Sequence, residues 1–289
     1  MSVSAVESEQ LGMISTAAAL GREAASIARY AIRSRLTRRT PERVSAEYDG
    51  GYWADVLRRR RWEQCDTLHE FIVPRSDKQR VARIDNRLVR ITDADYYEYR
   101  LQMIRQEIGR SAAPGVPIVE IGCGYGANLF TLVETGQWPH LTGLDISSNA
   151  LEAGRLIADR FGFASTVEFQ RLDLLTDDAA WGRLTDATVF SYYAFEQLKH
   201  HTADVLRRII AARPRRVIHI EPTPELWSLL NPKDAINRFY AWSHDYQDNL
   251  LATLRALEHE QRVRIVEVRR LFYAPGVRHD PTLICWEPR

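Results

Sequence analysis

The chain has 289 residues, of which 45% are hydrophobic and 27% are charged, and its net charge is +1. This composition is typical of a folded globular protein, and it gives no reason to expect a nucleic acid or a membrane as partner. The three cysteines are too few and too scattered for a disulfide framework or a cysteine metal site. We therefore expect no metal, and we expect a cytoplasmic protein.

Residues 1–110 are predicted to form a mainly helical N-terminal cap with a small hairpin. The predicted segments are a helix over 5–38, more helix over 43–75, a hairpin over 81–91 and a helix over 93–108. The turn of the hairpin is placed at Asp85-Asn86, because both residue types favour turns. The last of these helices is predicted to begin at Thr92 or Asp93 and to have Gly109 as its C-cap.

From Pro117 onward, short apolar strands alternate with helices, which is typical of a parallel α/β sheet. Strands are predicted at 117–121, 141–145, 166–170, 186–191, 216–221, 263–271 and 282–287. Helices are predicted at 126–136, 148–162, 177–183 and 197–212, with a helical insert over 222–260. The last two strands have no room for a crossover helix between them, so they are predicted to pair antiparallel. This second domain is assigned to 111–289.

The first strand of this domain leads into three alternating glycines, Gly122, Gly124 and Gly126. Glycine lets the backbone approach a ligand closely, because it has no Cβ and tolerates positive φ. The spacing is G-x-G-x-G, and not the G-x-G-x-x-G of dinucleotide binding. Glu120, two residues before the first glycine, suits a cationic ligand better than a pyrophosphate. These features favour S-adenosylmethionine, which carries a sulfonium and an ammonium.

The next strands supply the rest of a nucleoside site. Asp145 ends the second strand, about twenty residues after the loop, where a carboxylate can accept both ribose hydroxyls. Asp173 follows the third strand and could accept from the adenine amino group, while Leu172 and Leu174 could pack on the base. The structural alternative for Asp173 is a turn residue.

These motifs together resemble those of the class I (Rossmann-like) S-adenosylmethionine-dependent methyltransferases. The matching segments are VEIGCGYG, LTGLDIS, RLDLL, DATVFSYYAFEQL and IHIEP, followed by the closing hairpin, and they cover about 115–289. The resemblance implies an α/β fold with a Rossmann-like, seven-stranded, mostly parallel sheet whose last strand is antiparallel. It also implies S-adenosyl-L-methionine as cofactor, bound by Glu120, Gly122, Gly124, Gly126, Asp145, Ile146, Leu172, Asp173 and Ser191. By position, the N-terminal residues resemble the caps of members that act on small molecules.

The acceptor site is expected beyond the fourth and fifth strands. The candidate bases are Glu196, Glu221, His200, His201 and His244, and the candidate substrate-binding residues are Tyr192, Tyr193, Glu225 and Tyr246. A cluster of carboxylates suits a cationic acceptor nitrogen through charge-assisted hydrogen bonds. One of these carboxylates could instead partner the N-terminus of a helix. His219, inside a strand, could be a core residue or a catalytic one.

The sequence therefore predicts a methyltransferase of specialised metabolism that acts on an amine or guanidine nitrogen of a small polar metabolite. The alternative acceptor is a hydroxyl of a sugar or another natural-product scaffold. Methylation of a macromolecule and a non-catalytic scaffold are the remaining hypotheses. A homodimer is also left open, because the N-terminal helix could close its own site or that of a partner subunit.

Overall fold

The computed structural model describes residues 9–34, 46–112, 115–176, 179–276 and 278–289. Its N-terminal part consists of β1 (Glu9–Gln10), α1 (Met13–Ser34), a π-helix (Ala46–Trp53), α2 (Ala54–Arg59), a 3-10 helix (Arg61–Gln64), α3 (Leu68–Ile72), β2 (Gln79–Ile84), β3 (Arg87–Thr92) and α4 (Asp93–Ser111). Within these ranges no helix is both long enough and apolar enough to cross a membrane.

The N-terminal elements differ from the predicted ones at several points. Residues 9–10 form a strand that pairs with β3, and the first helix begins only at Met13. Residues 5–8 and 35–38 of the predicted helix lie outside the described residues. The helix predicted over 43–75 is broken into short pieces, in part because Arg60 has a left-handed φ of 42°. Helix α4 continues through Gly109 to Ser111, so Gly109 is not its C-cap.

The predicted hairpin is confirmed as β2 and β3. Asp85 and Asn86 form its turn with φ of 47° and 64°, the two positive values that a type I′ turn requires. The Oγ1 atom of Thr92 then accepts from the backbone N–H of Asp95 at 3.0 Å and caps α4.

The C-terminal part forms a seven-stranded sheet with the order β6-β5-β4-β7-β8-β10-β9. Its strands are β4 (Ile118–Ile121), β5 (Leu141–Asp145), β6 (Val167–Arg171), β7 (Thr188–Tyr192), β8 (Arg216–Pro222), β9 (Val263–Arg270) and β10 (Pro281–Pro288). Strand β10 runs antiparallel to both of its neighbours, and the pairs from β6 to β8 are parallel. The predicted fold class is confirmed.

The helices of this part are α5 (Ala127–Val133), α6 (Ser148–Phe161), α7 (Thr202–Ala211), α8 (Pro232–Ser243) and α9 (Leu250–His259). Three 3-10 helices lie between them, over Ala179–Leu184, Phe195–Gln197 and Pro224–Leu226. The helix predicted from 197 thus begins at Thr202, and the helical insert consists of two helices joined by a loop.

The two faces of the sheet are covered by different parts of the chain. Neighbouring residues of a strand point to opposite faces, so Ile118 and Val119 of β4 belong to different hydrophobic clusters. The cluster around Ile118 includes Trp62 and Ile104 of the N-terminal part. The cluster around Val119 includes Leu206 of α7 together with residues of α9. The N-terminal residues therefore share a core with the sheet, and their division from it at 110 stays a prediction.

A buried group of four charges joins the hairpin to the last strands. The Nη1 atom of Arg83 lies 2.6 Å from Oδ1 of Asp280. Nη2 of Arg270 lies 2.7 Å from Oδ1 of Asp234 and 2.8 Å from Oδ2 of Asp280. Arg83, Asp234 and Asp280 are almost completely buried. Because two positive and two negative groups balance, the group can be buried without an excess charge.

Replacing Arg83 with Met should lower the free energy of unfolding by about 3–5 kcal/mol, because the variant leaves two buried aspartates with one arginine. Urea unfolding measures this change. The control Arg207→Met removes an exposed ion pair with Asp204 and should change stability by less than about 0.5 kcal/mol. Equal stability of Arg83→Met and the native protein would contradict this role of the four charges.

Candidate functional site

A cavity of about 360 Å³ lies at the carboxyl ends of β4 to β7. This is the edge at which open α/β sheets bind ligands. The loops after these strands line it with residues 121–122, 124, 144–147, 172–175, 193–194 and 196–201. Asp49 and Trp53 of the N-terminal π-helix and Asp245 after α8 complete the wall.

The glycine loop is closely packed on both of its sides. A Cβ at Gly122 would lie 2.4 Å from the Cβ of Ala194, and one at Gly124 would lie 2.6 Å from the ring of Trp53. Both glycines also have positive φ. Gly126 precedes α5 and packs on Phe169, away from the residues that line the cavity. The loop thus needs glycine both for its backbone and for contact with the N-terminal part.

Asp145 holds the glycine loop against the second strand. Its Oδ2 atom accepts from the backbone N–H of Gly124 at 2.8 Å, and Oδ1 accepts from the N–H of Ser147 at 2.8 Å. Burial raises the pKa of Asp145, and the nearby Asp49 raises it further. Asp49 itself accepts from Oγ of Ser147 at 2.6 Å and from the N–H of Asn149 at 3.1 Å. Sequence reasoning missed Asp49, because it lies in a segment without a recognisable motif.

An apolar slot lies beside these acids. Ile146, Leu172 and Leu175 all line the cavity; Ile146 is 45% exposed and Leu175 is 38% exposed, whereas Leu172 is buried. Asp173 lines the same cavity, and its Oδ1 accepts from the N–H of Leu175 at 2.9 Å. Exposed apolar side chains next to an acceptor oxygen suit a planar ring that carries a donor.

Glu120 is fully buried below the glycine loop. Its Oε1 atom accepts from Nδ2 of Asn128 at 2.6 Å, and the Oδ1 atom of Asn128 accepts from Nη2 of Arg100 at 2.7 Å. Burial raises the pKa of Glu120 to about 8, although Asn128 and Arg100 act in the opposite direction. Sequence reasoning missed Asn128 and Arg100, because only folding brings α4 and α5 to this strand.

The candidate bases are divided between the cavity and the protein interior. Glu196, His200 and His201 line the cavity. Glu221 is fully buried, and its Oε1 accepts from the N–H of Ala194 at 2.9 Å; burial raises the pKa of this carboxyl to about 8. His244 does not line the cavity and stacks on Tyr30 at 3.8 Å between ring centroids.

Ser191 and His219 contact each other inside the sheet, with Oγ and Nδ1 2.9 Å apart. His219 is almost fully buried, and burial lowers its pKa to about 3. A histidine that stays neutral and packs between Phe195 and Trp286 is a core residue.

The candidate substrate residues also have different surroundings. Tyr193 lines the cavity, whereas the ring of Tyr192 lies 5.4 Å from the guanidinium carbon of Arg100. The Oε1 atom of Glu225 accepts from the N–H of Ala252 at 3.0 Å, in the first turn of α9. Tyr246 is buried in a small cluster with Trp227 and Ala241.

A histidine that the sequence analysis did not single out lies behind Glu196. The Nε2 atom of His279 is 2.8 Å from Oε2 of Glu196. The ring of His279 stacks on Tyr246 at 5.4 Å, and its carbonyl oxygen accepts from the hydroxyl of Tyr193 at 2.5 Å. The loop between β9 and β10 has no motif that could have indicated this position.

The buried Glu120 should make stability depend on pH. Its pKa is about 8 in the folded protein and ordinarily 4.5, so between pH 5 and 8 the folded state keeps a proton that the unfolded state has lost. The free energy of unfolding should therefore fall as pH rises, by up to about 1.4 kcal/mol per pH unit from this group. Urea unfolding at several pH values should give a shallower slope for Glu120→Gln.

The control for this experiment is Glu168→Gln, which replaces a side chain that is 55% exposed and should leave the slope as in the native protein. A Glu120→Gln slope equal to that of the native protein would contradict the protonated state of this carboxyl.

A family model described as a methyltransferase domain matches residues 119–212, the segment from β4 to the end of α7. A comparison with curated protein sequences found no significant match.

Several solved structures resemble the chain. Magnesium protoporphyrin IX methyltransferase from Synechocystis PCC 6803 aligns over 68% of this chain and 87% of that one, with 15% identity and a TM-score of 0.48. Geranyl diphosphate C-methyltransferase from Streptomyces coelicolor A3(2) aligns over 66% and 79%, with 13% identity and a TM-score of 0.48. An O-methyltransferase family 2 protein from Planctomyces limnophilus DSM 3776 aligns over 65% of this chain and 62% of that one, with 13% identity and a TM-score of 0.48.

These similarities carry no information about the acceptor. The family model matches the segment that contains the glycine loop, Asp145 and Asp173, and the sheet has the expected parallel order with its closing hairpin. Residues 119–212 therefore match a methyltransferase domain, and the sheet around them has a Rossmann-like α/β fold.

Proposed function

We propose that the protein transfers the methyl group of S-adenosylmethionine to a nitrogen, of amine or guanidine type, on a small polar metabolite. The observation that carries this proposal is the charge of the cavity. Five carboxylate side chains and one lysine are among its described lining residues: Asp49, Asp145, Asp173, Glu196, Asp245 and Lys199. Such a lining favours cations, both the sulfonium of the cofactor and a protonated acceptor.

The proposed acceptor is small because residues of the N-terminal part form one wall of the cavity and limit the space in it. Asp49 and Trp53 of the N-terminal part reach the loops after β4 and β5, where Asp49 accepts from Ser147 and Trp53 contacts Gly124. An RNA or a protein would need an open, extended groove at this edge. The N-terminal residues instead narrow the site to a cavity that is suited to a metabolite.

The residues at the cavity fit the cofactor. The oxygens of Asp145 accept one backbone N–H each, and a carboxylate oxygen has a second lone pair that a ribose hydroxyl can use. Asp173 and the apolar Ile146 and Leu175 would hold the adenine. The Oε2 atom of Glu120 is buried and has no hydrogen-bond partner among the described residues, so it is suited to the ammonium group.

The bound cofactor supplies an electrophilic methyl group, and the protein aligns the acceptor with it. Among the described carboxylates considered as bases, Glu196 lines the cavity, whereas Glu221 is fully buried behind Ala194 and Glu225 accepts from the N–H of Ala252. Glu196 would bind the protonated acceptor and receive its proton. Tyr193, which also lines the cavity, would pack against the acceptor.

A hydroxyl acceptor is the second candidate, and the pair of Glu196 and His279 favours it. The carboxylate of Glu196 lies 2.8 Å from Nε2 of His279, so each of the two side chains orients the other. Glu196, held by the imidazole behind it, would take the proton from a hydroxyl group, which is less nucleophilic than an amine.

Calorimetry with S-adenosylhomocysteine tests the cofactor site. The native protein should bind it, and Asp145→Asn should weaken binding about 10- to 100-fold, because a carboxylate that accepts from the ribose is lost. Asp159→Asn, an exposed change on α6, is the matched control and should bind as the native protein does. Failure of the native protein to bind would reject the proposed function.

Product analysis with isotopically labelled S-adenosylmethionine and a panel of amines, guanidines and alcohols tests the acceptor. A nitrogen acceptor predicts that His279→Gln keeps kcat within a few-fold of the native value. A hydroxyl acceptor predicts a loss of about 100-fold in kcat, because the general base Glu196 loses the imidazole that orients it.

A further inference from the structure

Glu221 is a buried carboxyl at the end of a central strand, and it holds the loop that follows the neighbouring strand. Strand β8, which carries it, is paired to β7 on one side and to β10 on the other. The side chain is fully buried and is not among the residues that line the cavity. Its Oε1 atom accepts from the backbone N–H of Ala194 at 2.9 Å, and Ala194 does line the cavity. A carboxyl on a rigid strand therefore fixes a backbone group of the cavity wall.

The hydrogen bond acts on a turn that the backbone does not favour. Tyr193 has a φ of 54°, in the left-handed region that a bulky residue rarely adopts. Its own N–H donates to the carbonyl of Ile220 at 3.2 Å, and the chain then leaves the strand. Beyond this point the N–H of Ala194 is bonded by a side chain and not by a strand partner. Strained conformations persist where the surrounding contacts determine them, and Glu221 supplies one of these contacts.

The turn places two residues at the cavity. The methyl group of Ala194 occupies the space that Gly122 leaves open, because a Cβ at Gly122 would lie 2.4 Å from it. A 3-10 helix begins at Phe195, directly after the turn, and its second residue is Glu196. The bond from Ala194 to Glu221 thus lies two residues before the carboxylate that would bind the acceptor.

Two other contacts hold Glu196 itself. Its Oε2 atom lies 2.8 Å from Nε2 of His279, and its backbone carbonyl accepts from the N–H of Gln247 at 2.9 Å. The contact of Glu221 differs from these, because it fixes Ala194, which packs on the glycine loop. It therefore relates the position of Glu196 to that of the bound cofactor.

We propose that Glu221 is a positioning residue for methyl transfer, and that through Ala194 it sets the position of Glu196 beside the methyl group of the cofactor. This inference rests on the proposed function, in which Glu196 binds the acceptor. A base would have to reach the cavity, whereas the carboxyl of Glu221 bonds to the backbone behind it. The two roles place opposite demands on the side chain. Positioning requires the length of a glutamate and an acceptor oxygen, and proton transfer requires an acid.

Calorimetry with two cofactor analogues tests this role without knowledge of the acceptor. Sinefungin carries a protonated amine where S-adenosylmethionine carries its methyl group, and S-adenosylhomocysteine lacks both the methyl group and the positive charge. The ratio of their dissociation constants therefore reports the negative charge that Glu196 places beside the methyl position. Glu196→Gln should shift this ratio about tenfold against sinefungin, because a charge-assisted hydrogen bond is lost.

Two variants of Glu221 separate the length of the side chain from its acidity. Burial raises the pKa of Glu221 to about 8, so at pH 7 the side chain is mostly neutral and glutamine matches its shape and charge. Glu221→Gln should keep the ratio within about twofold of the native value, because its amide oxygen can still accept from Ala194. Glu221→Asp keeps the acid but is one methylene shorter, so the bond to Ala194 is lost and the ratio should shift about fivefold or more against sinefungin.

Glu258→Asp is the matched control. The Oε1 atom of Glu258 also accepts from a backbone N–H, that of Ile265 at 2.7 Å, and Glu258 is not among the residues that line the cavity. The same shortening should therefore leave the ratio as in the native protein. A double variant shows whether Glu221 acts through Glu196: adding Glu221→Asp to Glu196→Gln should cause no further shift, because the carboxylate to be positioned is already absent.

Two results would overturn the proposal. One is a native ratio in Glu221→Asp, including an equal weakening of both analogues, which would indicate a structural role. The other is a shifted ratio in Glu221→Gln, which would indicate that the acid itself is needed, and this result is decisive even if the Asp variant does not fold. Failure of the native protein to bind S-adenosylhomocysteine, or an unchanged ratio in Glu196→Gln, would reject the proposed function on which the proposal rests. Both are measured before any variant of Glu221 is made.

Discussion

The balanced ion group of Arg83, Arg270, Asp234 and Asp280 sets the position of the N-terminal part on the sheet. It joins the hairpin to β9, α8 and the loop before β10. Helix α4 follows directly from this hairpin, so the location of Arg100 depends on it. His279 is the neighbour of Asp280 in the chain, so the contact with Glu196 depends on it as well. One buried electrostatic interaction thus positions groups on two sides of the proposed site.

The chemistry proposed for the site follows from an uneven distribution of charge. Acidic side chains line the cavity itself, whereas Arg100 is not among its lining residues. Arg100 donates to the amide of Asn128, and this amide donates to Glu120. A cationic sulfonium and a cationic acceptor nitrogen suit the acidic lining of the cavity. Because Glu120 is buried and keeps its proton to about pH 8, its interaction with a ligand ammonium would involve a proton shift, as linkage requires.

The sheet and the glycine loop could be predicted because their signals are local. Strand periodicity, alternating glycines and the acids after each strand are all read within a few residues. Asp49, Arg100 and His279 could not be found this way, since each reaches the site by a contact over a long sequence distance. The sequence also did not indicate in which direction a side chain points. Glu221 and Glu225 do follow a strand at the expected edge, yet both accept from backbone N–H groups.

The adjacent residues Tyr192 and Tyr193 at the end of β7 connect the surroundings of Arg100 with the cavity. The first ring lies against Arg100, and the second lines the cavity and donates to the carbonyl of His279. Tyr193 has a positive φ of 54°, and its ring contacts that of Tyr192 edge to face, with 4.7 Å between the centroids. Because the two rings are in contact, a substitution that moves one phenol would also move the other, so the two regions cannot change independently.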